Sequence, residues 1–227
     1  MSVTIGVPQG SVLGPLLFLL YINDLSTVPK SCLSVLFADD TNVFVTGKHT
    51  EEMSAELNED LQKNCEWLRC NKLSLNVLKT NYMIFTSKNK TVNDLDIKIN
   101  NTEIERVYTT KFLGVYIDAQ LSWKRHIEYT CSKLSKCTGI FLKARKKLHK
   151  SALISLYYSF AYPYFIYCNQ VWGNTYSTNL EKVVLTQKRL VRIITCSHYR
   201  AHTEPLLLAN RLLSIKDINQ YVVGICI

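Results

Sequence analysis

The stretch CLSVLFADDTNVFV, residues 32–45, decides how this chain is read. Residues 32–37 form a β-leaning apolar run and residues 42–45 a second one, with Ala38, Asp39, Asp40 and Thr41 between them. The pattern predicts a β-hairpin with two adjacent carboxylates at its tip. Neighbouring carboxylates repel unless a cation sits between them. A solvated turn is the alternative, since Asp is a common turn residue. Context favours the cation: the apolar strand is preceded by Pro8-Gln9-Gly10-Ser11 and a very apolar helix. Mg²⁺ takes few protein carboxylates and leaves its other positions to water and phosphate oxygens. Two-metal phosphoryl transfer needs such carboxylates on a rigid support, which a hairpin within a packed sheet provides.

Working upstream, Gly6 to Ser11 reads as a turn, with Ser11 as N-cap and Pro15 in the first helical turn, where a missing N–H costs little. Leu16, Leu17, Leu19, Leu20 and Ile22 make the helix apolar nearly all round, so burial on most sides is expected. Only a turn precedes it, and the expectation is a chain truncated at its N-terminus.

Downstream, Met53, Leu57, Leu61, Cys65 and Leu68 recur at helical spacing and predict a helix over about 51–70, with Glu51 and Glu52 complementing its dipole. Short strands are expected at Leu73–Leu75 and Tyr82–Phe85, a hairpin around Asn100-Asn101, and a strand over Phe112–Ile117. From Ser122 the pattern turns helical, with one helix, or two broken near Gly139. Ser151 is expected to cap the next, bent or ended near Pro163. Thr178 and Glu181 suggest a capping box for a helix running to about Cys196, and Thr203 a last short helix through Leu213.

The 227 residues carry a net charge of +9, split unevenly: −2 over residues 1–100 and +11 over 101–227. The basic half points to a polyanionic partner. The start lacks the basic and apolar regions of a secretory signal, and the apolar run from Val12 to Ile22 is too short to span a bilayer. A second apolar run, Ile154 to Trp172, holds five Tyr, Pro163, Asn169 and Gln170, and reads as a packed helix, so no membrane partner is expected. Eight cysteines form no CxxC pair, which points to reduced thiols in the cytoplasm or nucleus. Cys196, His198 and His202 offer only three ligands to a zinc ion, and a surface role is the preferred reading.

Residues 6–18 (GVPQGSVLGPLLF), 21–25 (YINDL) and 37–40 (FADD) together resemble the reverse transcriptase of non-LTR, jockey-like retrotransposons of the LINE type. The similarity continues through 73–80 (LSLNVLKT), 111–118 (KFLGVYID), 121–127 (LSWKRHI), the Tyr-rich stretch and 210–213 (NRLL), and so covers nearly the whole chain. The resemblance implies an α+β fold: a partial right-hand polymerase palm with an antiparallel sheet and helices over 1–118, a helical thumb over 119–150 and post-thumb helices over 151–227. It implies RNA-directed DNA polymerase activity with Mg²⁺ (or Mn²⁺), deoxynucleoside triphosphates, an RNA template and a DNA primer.

Residue by residue, the resemblance makes Asp39 a metal ligand and Asp40 its neighbour, and sets Pro8, Gln9 and Gly10 beside the incoming nucleotide. Gln9 would contact the nascent pair and Gly10 would let the backbone approach closely. Lys79 matches the general acid for the pyrophosphate leaving group, with an exposed loop lysine as the alternative. Phe112, Leu113 and Gly114 match the primer-grip hairpin, whose alternative is a sheet edge. Lys124, Arg125, Lys133, Lys136, Lys143, Arg145, Lys146 and Lys147 would contact phosphates of the template–primer duplex. The family places a further metal-binding Asp and the fingers ahead of Pro-Gln-Gly, so the isolated chain is expected to be inactive. The rival readings are a nucleic-acid-binding remnant without catalysis and a non-functional translated fragment.

Overall fold

Buried apolar side chains gather at two places along the chain, and the computed structural model, which describes residues 7, 10–87, 90 and 92–225, divides accordingly into two units. One runs to Ile84 and resumes over Lys90–Val107; the other takes the chain from Tyr108 onward together with a short piece beginning at Phe85. The fold mixes helices with small sheets.

In the first unit, α1 (Leu13–Ile22) has Val12 rather than the expected Ser11 at its N-cap position; the Ser11 Oγ, one residue further out, still accepts the Gly14 N–H at 3.2 Å. The expected burial of α1 is not met. Ile22 is buried, while Leu16 is 54% and Leu20 68% exposed. Its leucines surround the helix rather than line one side, so a single packing contact covers only a fraction of them. A 3₁₀ turn at Asn23–Thr27 leads to β1 (Leu33–Phe37) and β2 (Asp40–Phe44), paired antiparallel with Phe37 opposite Asp40. Helix α2 (Thr50–Cys70) lies within one residue of its sequence bounds. Its Leu57 joins Cys32, Ile97, Ile99 and Ile104 in a small core.

The strands beyond α2 are shorter than expected. Residues 73–76 form no strand, and Val77–Lys79 is a 3₁₀ turn. β3 is only Asn81–Tyr82, and its partner, in parallel, is β6 (Glu105–Arg106), more than twenty residues later. β4 (Lys98–Ile99) and β5 (Thr102–Glu103) form the hairpin expected around Asn100-Asn101. Both turn residues have positive φ, 48° and 63°, which Asn tolerates better than most residues. The pairings are four separate two-stranded sheets among the described residues.

The second unit opens with β7 (Thr109–Phe112) and β8 (Val115–Asp118), an antiparallel hairpin where the sequence pattern suggested one strand. Leu113 and Gly114 make its two-residue turn at φ 44° and 84°. Helix α3 (Lys124–Ala144) runs unbroken through Gly139. A mid-helix glycine costs about 1 kcal/mol, and burial of Leu134, Cys137 and Phe141 on either side outweighs it. Helix α4 (Lys150–Leu156) is capped by His149, whose Nδ1 accepts the Ser151 N–H at 3.4 Å, rather than by Ser151. A π turn at Tyr157–Ala161 follows, immediately before α5 (Tyr162–Ile166). Pro163 has no N–H to give and its ring crowds the preceding turn, so the helical ladder widens there.

Helices α6 (Asn169–Trp172), α7 (Ser177–Ile194), α8 (Thr203–Ala209) and α9 (Ile215–Ile225) complete the unit. The expected capping box at Thr178 and Glu181 does not form: α7 begins after Tyr176 without a side-chain cap, and it ends before Cys196. Thr203 is the first residue of α8 rather than its cap, and the helix stops at Ala209. Ile127, Leu134 and Phe141 of α3 face Val183, Leu190 and Ile194 of α7 in one core with Tyr157, Phe165 and Trp172. Buried Gln187 ties it together: its amide donates to Leu213 O at 3.0 Å and to the Tyr157 hydroxyl at 3.3 Å, and its carbonyl accepts the Ile215 N–H at 2.9 Å.

Candidate functional site

The hairpin of β1 and β2 closes through Ala38 and Asp39 alone. Ala38 sits at φ 52°, a left-handed conformation that costs a residue with a Cβ about 1 kcal/mol. Strain of this kind concentrates at functional positions. Asp39 lies in the turn and Asp40 begins β2 on the face that carries Phe37, since directly paired residues share a face. Both carboxylates are exposed, and among the described residues neither is engaged by an ion pair or hydrogen bond. Two carboxylates at this spacing fit the small protein share of a Mg²⁺ shell. No group of three or more His, Cys, Asp or Glu converges among the described residues.

The support of this hairpin was not legible in the sequence. Asp60, in the middle of α2 and fully buried, accepts the backbone N–H groups of Lys30, Ser31 and Cys32 at 3.1, 2.8 and 3.0 Å on one oxygen. Its other oxygen takes Lys63 Nζ at 3.0 Å. Burial alone would raise this carboxyl, but the bonds from Lys63 and the three amides outweigh it and hold the group well below the usual carboxylate range. Only a helix with an acid on its buried face gives the signal, and a buried acid at that position reads as an ordinary surface charge in sequence.

Pro8 and Gln9 lie outside the described residues. Gly10 adopts φ 86°, and an added Cβ would meet nothing within 4 Å, so the space beside it is open. Lys79 ends the 3₁₀ turn, exposed, and makes no ion pair with either aspartate among the described residues.

In the second unit, Leu113 and Gly114 form the tip of the β7–β8 hairpin. The Tyr167 hydroxyl donates to Leu113 O at 2.5 Å, and a Cβ on Gly114 would stand 3.4 Å from the Tyr167 ring. Asp118, at the end of β8, accepts the Ser122 and Trp123 N–H groups at 2.9 Å each, fixing the entry to α3. That role was also unforeseen.

Of the eight basic residues expected to meet phosphate, Arg125, Lys133, Lys136 and Lys143 recur at helical spacing along one side of α3. Lys124 stands beside this stripe in the first turn, and Arg145, Lys146 and Lys147 follow the end of the helix. None of the eight forms an ion pair among the described residues. The sequence reading missed an aromatic companion. Lys111 lies opposite Tyr116 in the hairpin register, and its Nζ is 5.5 Å from the Tyr129 ring centre; Lys133 Nζ is 5.2 Å from the same ring, and Arg125 lies 5.7 Å from Tyr116.

The chain matches the family described as reverse transcriptase (RNA-dependent DNA polymerase) over residues 2–117. Among curated proteins it is 30% identical over 202 residues to an RNA-directed DNA polymerase assigned to the transposon X-element of Drosophila melanogaster, covering 86% of this chain and 22% of that protein. It is 27% identical over 212 residues to the RNA-directed DNA polymerase from mobile element jockey of the same species, covering 88% and 23%. It is 26% identical over 197 residues to a retrovirus-related Pol polyprotein from type-1 retrotransposable element R1 of Bradysia coprophila, covering 84% and 20%. The chain thus spans about a fifth of the length of these relatives. No solved structure matches it.

Proposed function

Because this chain belongs to the reverse transcriptase (RNA-dependent DNA polymerase) family and is homologous to the polymerases of non-LTR retrotransposons, we propose that it carries part of the machinery that extends a DNA primer on an RNA template. The observation that carries this reading is the pair of unengaged carboxylates, Asp39 and Asp40, on a two-residue hairpin turn. In this reading residues 1–118 form a partial palm, residues 119–150 a thumb and residues 151–227 post-thumb helices. Asp39 holds the divalent cation, Mg²⁺ or Mn²⁺, and Asp40 adds charge beside it. A cation there supplies Lewis-acid stabilisation to the attacking and leaving oxygens. The deoxynucleoside triphosphate lies along Pro8, Gln9 and Gly10, and Lys79 gives a proton to the departing pyrophosphate. Phe112, Leu113 and Gly114 hold the primer end, and the basic stripe of α3 binds duplex phosphates without reading sequence. The compartment we assign is the cytoplasm or nucleus, from the eight cysteines without a CxxC pair in the sequence.

The reading is tested by primer extension on an RNA template, in Mg²⁺ and in Mn²⁺, by the chain and by an element polymerase that contains it. Asp39→Asn, which removes a charge from the metal site, is expected to abolish synthesis by the polymerase. Undiminished synthesis by that variant overturns the assignment. A second reading, nucleic-acid binding without synthesis by this chain, is favoured by the basic stripe, which lies wholly within the second unit and needs nothing from the hairpin. Filter binding without extension by the wild-type chain supports it.

A further inference from the structure

Beside the tip of the β7–β8 hairpin, a cavity of about 460 Å³ opens between α3 and α5. Its walls are largely apolar and aromatic, among them Tyr129, Pro163, Tyr164 and Ile166, with Gly114 of the hairpin at one side. The size falls within the range of small-molecule sites. Apart from the tyrosines, Thr130 and His126 are the polar residues of the lining. His126 is buried against Trp172 with ring centres 5.5 Å apart, and its Nδ1 accepts the Tyr116 N–H at 3.4 Å. That bond leaves the other ring nitrogen as the protonated one. Burial lowers the pKa of the imidazole and keeps it neutral.

Tyr129 joins this cavity to a cluster of cations. The residue that lines the wall also carries Lys111 and Lys133 within 5.5 Å of its ring centre, with Arg125 close by over Tyr116. An apolar slot with a few polar groups, edged by three cations, matches a ligand that is flat and apolar on its faces, polar on its edge and flanked by negative charge. We propose that this cavity receives an unpaired nucleobase of a nucleic-acid strand while Lys111, Arg125 and Lys133 hold the adjoining phosphates. An acidic peptide meets both the cations and the slot only where an aromatic residue happens to sit beside its carboxylates, whereas every nucleotide joins a flat base to a phosphate. A lipid surface would not enter a pocket lined in part by His126 and Thr130. The inference rests on the nucleic-acid reading above and adds to it a site for a base taken out of its stack, on a chain whose basic stripe otherwise reads only the backbone.

Two labelled strands of equal length test it with the full chain, one ordinary single-stranded oligonucleotide and one built on abasic sugars, by fluorescence anisotropy at fixed salt. The ordinary strand is expected to bind about tenfold more tightly, the usual effect of losing one base–aromatic stack. Tyr164→Ala should erase that difference and leave the abasic strand unchanged, whereas Lys111→Ala and Lys133→Ala should weaken both strands alike. Equal binding of the two strands by the wild-type chain overturns the proposal while leaving phosphate binding intact, and needs no variant to fold. Failure of both strands to bind at low salt overturns it together with the nucleic-acid reading. Sedimentation of the free chain as a dimer that Tyr164→Ala dissociates assigns the cavity to a second copy and likewise overturns it.

Discussion

The carboxylate of Asp60 accepts the backbone N–H of Cys32 at 3.0 Å, so the middle of α2 grips the residue that leads into the aspartate hairpin. Cys32 lies directly before β1, and the same oxygen holds Ser31 and Lys30. Removing the acid leaves three amides without a partner. Asp60→Ala is expected to destabilise the first unit by about 2–4 kcal/mol, since bonds to a buried charge are worth more than neutral ones. Asp60→Asn keeps an acceptor and should cost less. Urea unfolding followed by tryptophan fluorescence checks both, through Trp67 of α2. A variant as stable as the wild type would remove Asp60 from its supporting role.

The same group sets an acid limit. Its folded pKa lies below the unfolded value, so its contribution is complete above the ordinary carboxylate range, begins to fall as pH drops through that range, and is gone only once pH is below the folded pKa. The first unit is expected to lose stability from about pH 5 downward, and Asp60→Asn to flatten that dependence. Unfolding midpoints measured across the range give the comparison.

Cysteine chemistry reports on the same contact without any variant. Burial, and then the charge of Asp60, pushes the Cys32 thiol up to about 11. Thiolate is the reactive species. At pH 7.5, roughly the neutral range in which unperturbed thiols begin to react, exposed Cys70 and Cys196 should be alkylated first and Cys32 last. Peptide mass spectrometry after brief labelling gives the order; early modification of Cys32 would contradict its burial beside Asp60 and Leu57 of α2.

The hairpin tip in the second unit depends on Tyr167. Tyr167→Phe removes the donor to Leu113 O and should cost about 1 kcal/mol, with faster amide exchange across residues 109–118. Gly114→Ala should cost at least as much, because a Cβ is disfavoured at φ 84°, although the Tyr167 ring at 3.4 Å leaves room for it. Unchanged exchange in Tyr167→Phe would show that the turn holds itself.

Binding through the α3 stripe predicts a salt slope. Lys136→Glu and Lys143→Glu should weaken duplex and hybrid alike whatever their sequence, and each lost phosphate contact should lower the slope of log affinity against log salt by about 1. Filter binding over a salt series reads this directly. An affinity flat in salt would detach the stripe from nucleic acid.

These sites differ in how far the sequence exposes them. Helix α2 was legible to within a residue because Leu57, Leu61 and Cys65 repeat on the side that packs. The Asn100-Asn101 turn was legible because Asn accepts positive φ. β3 was legible only in part: the strand expected over Tyr82–Phe85 meets it at Tyr82 alone, because its parallel partner Glu105–Arg106 is one that local pattern does not announce. Leu113 and Gly114 were read once as strand and once, by resemblance, as a hairpin; the apolar run through Ile117 hides a turn that only Gly114 punctuates. The Asp39 and Asp40 pair stood out as a motif, but its brace at Asp60 did not. The cluster of Lys111, Tyr116 and Tyr129 needs a cross-strand register and a helix face at once, and neither is visible before the chain is folded.

A sequence propagated by copying accumulates substitutions and small insertions or losses, and the two parts of this protein answer to them differently. Substitutions along Arg125, Lys133, Lys136 and Lys143 remove one charge apiece, so the binding proposed for this stripe would fade by degrees in successive descendants. The turn of Ala38 and Asp39 has no such grading. One codon gained or lost in the turn itself changes the closure that sets Phe37 opposite Asp40, and a pairing shifted by one residue puts Asp40 on the other face from Phe37. Among descendants of one ancestor, the proposed affinity for nucleic acid should therefore outlast the carboxylate hairpin, which a single in-frame change of turn length is enough to re-aim.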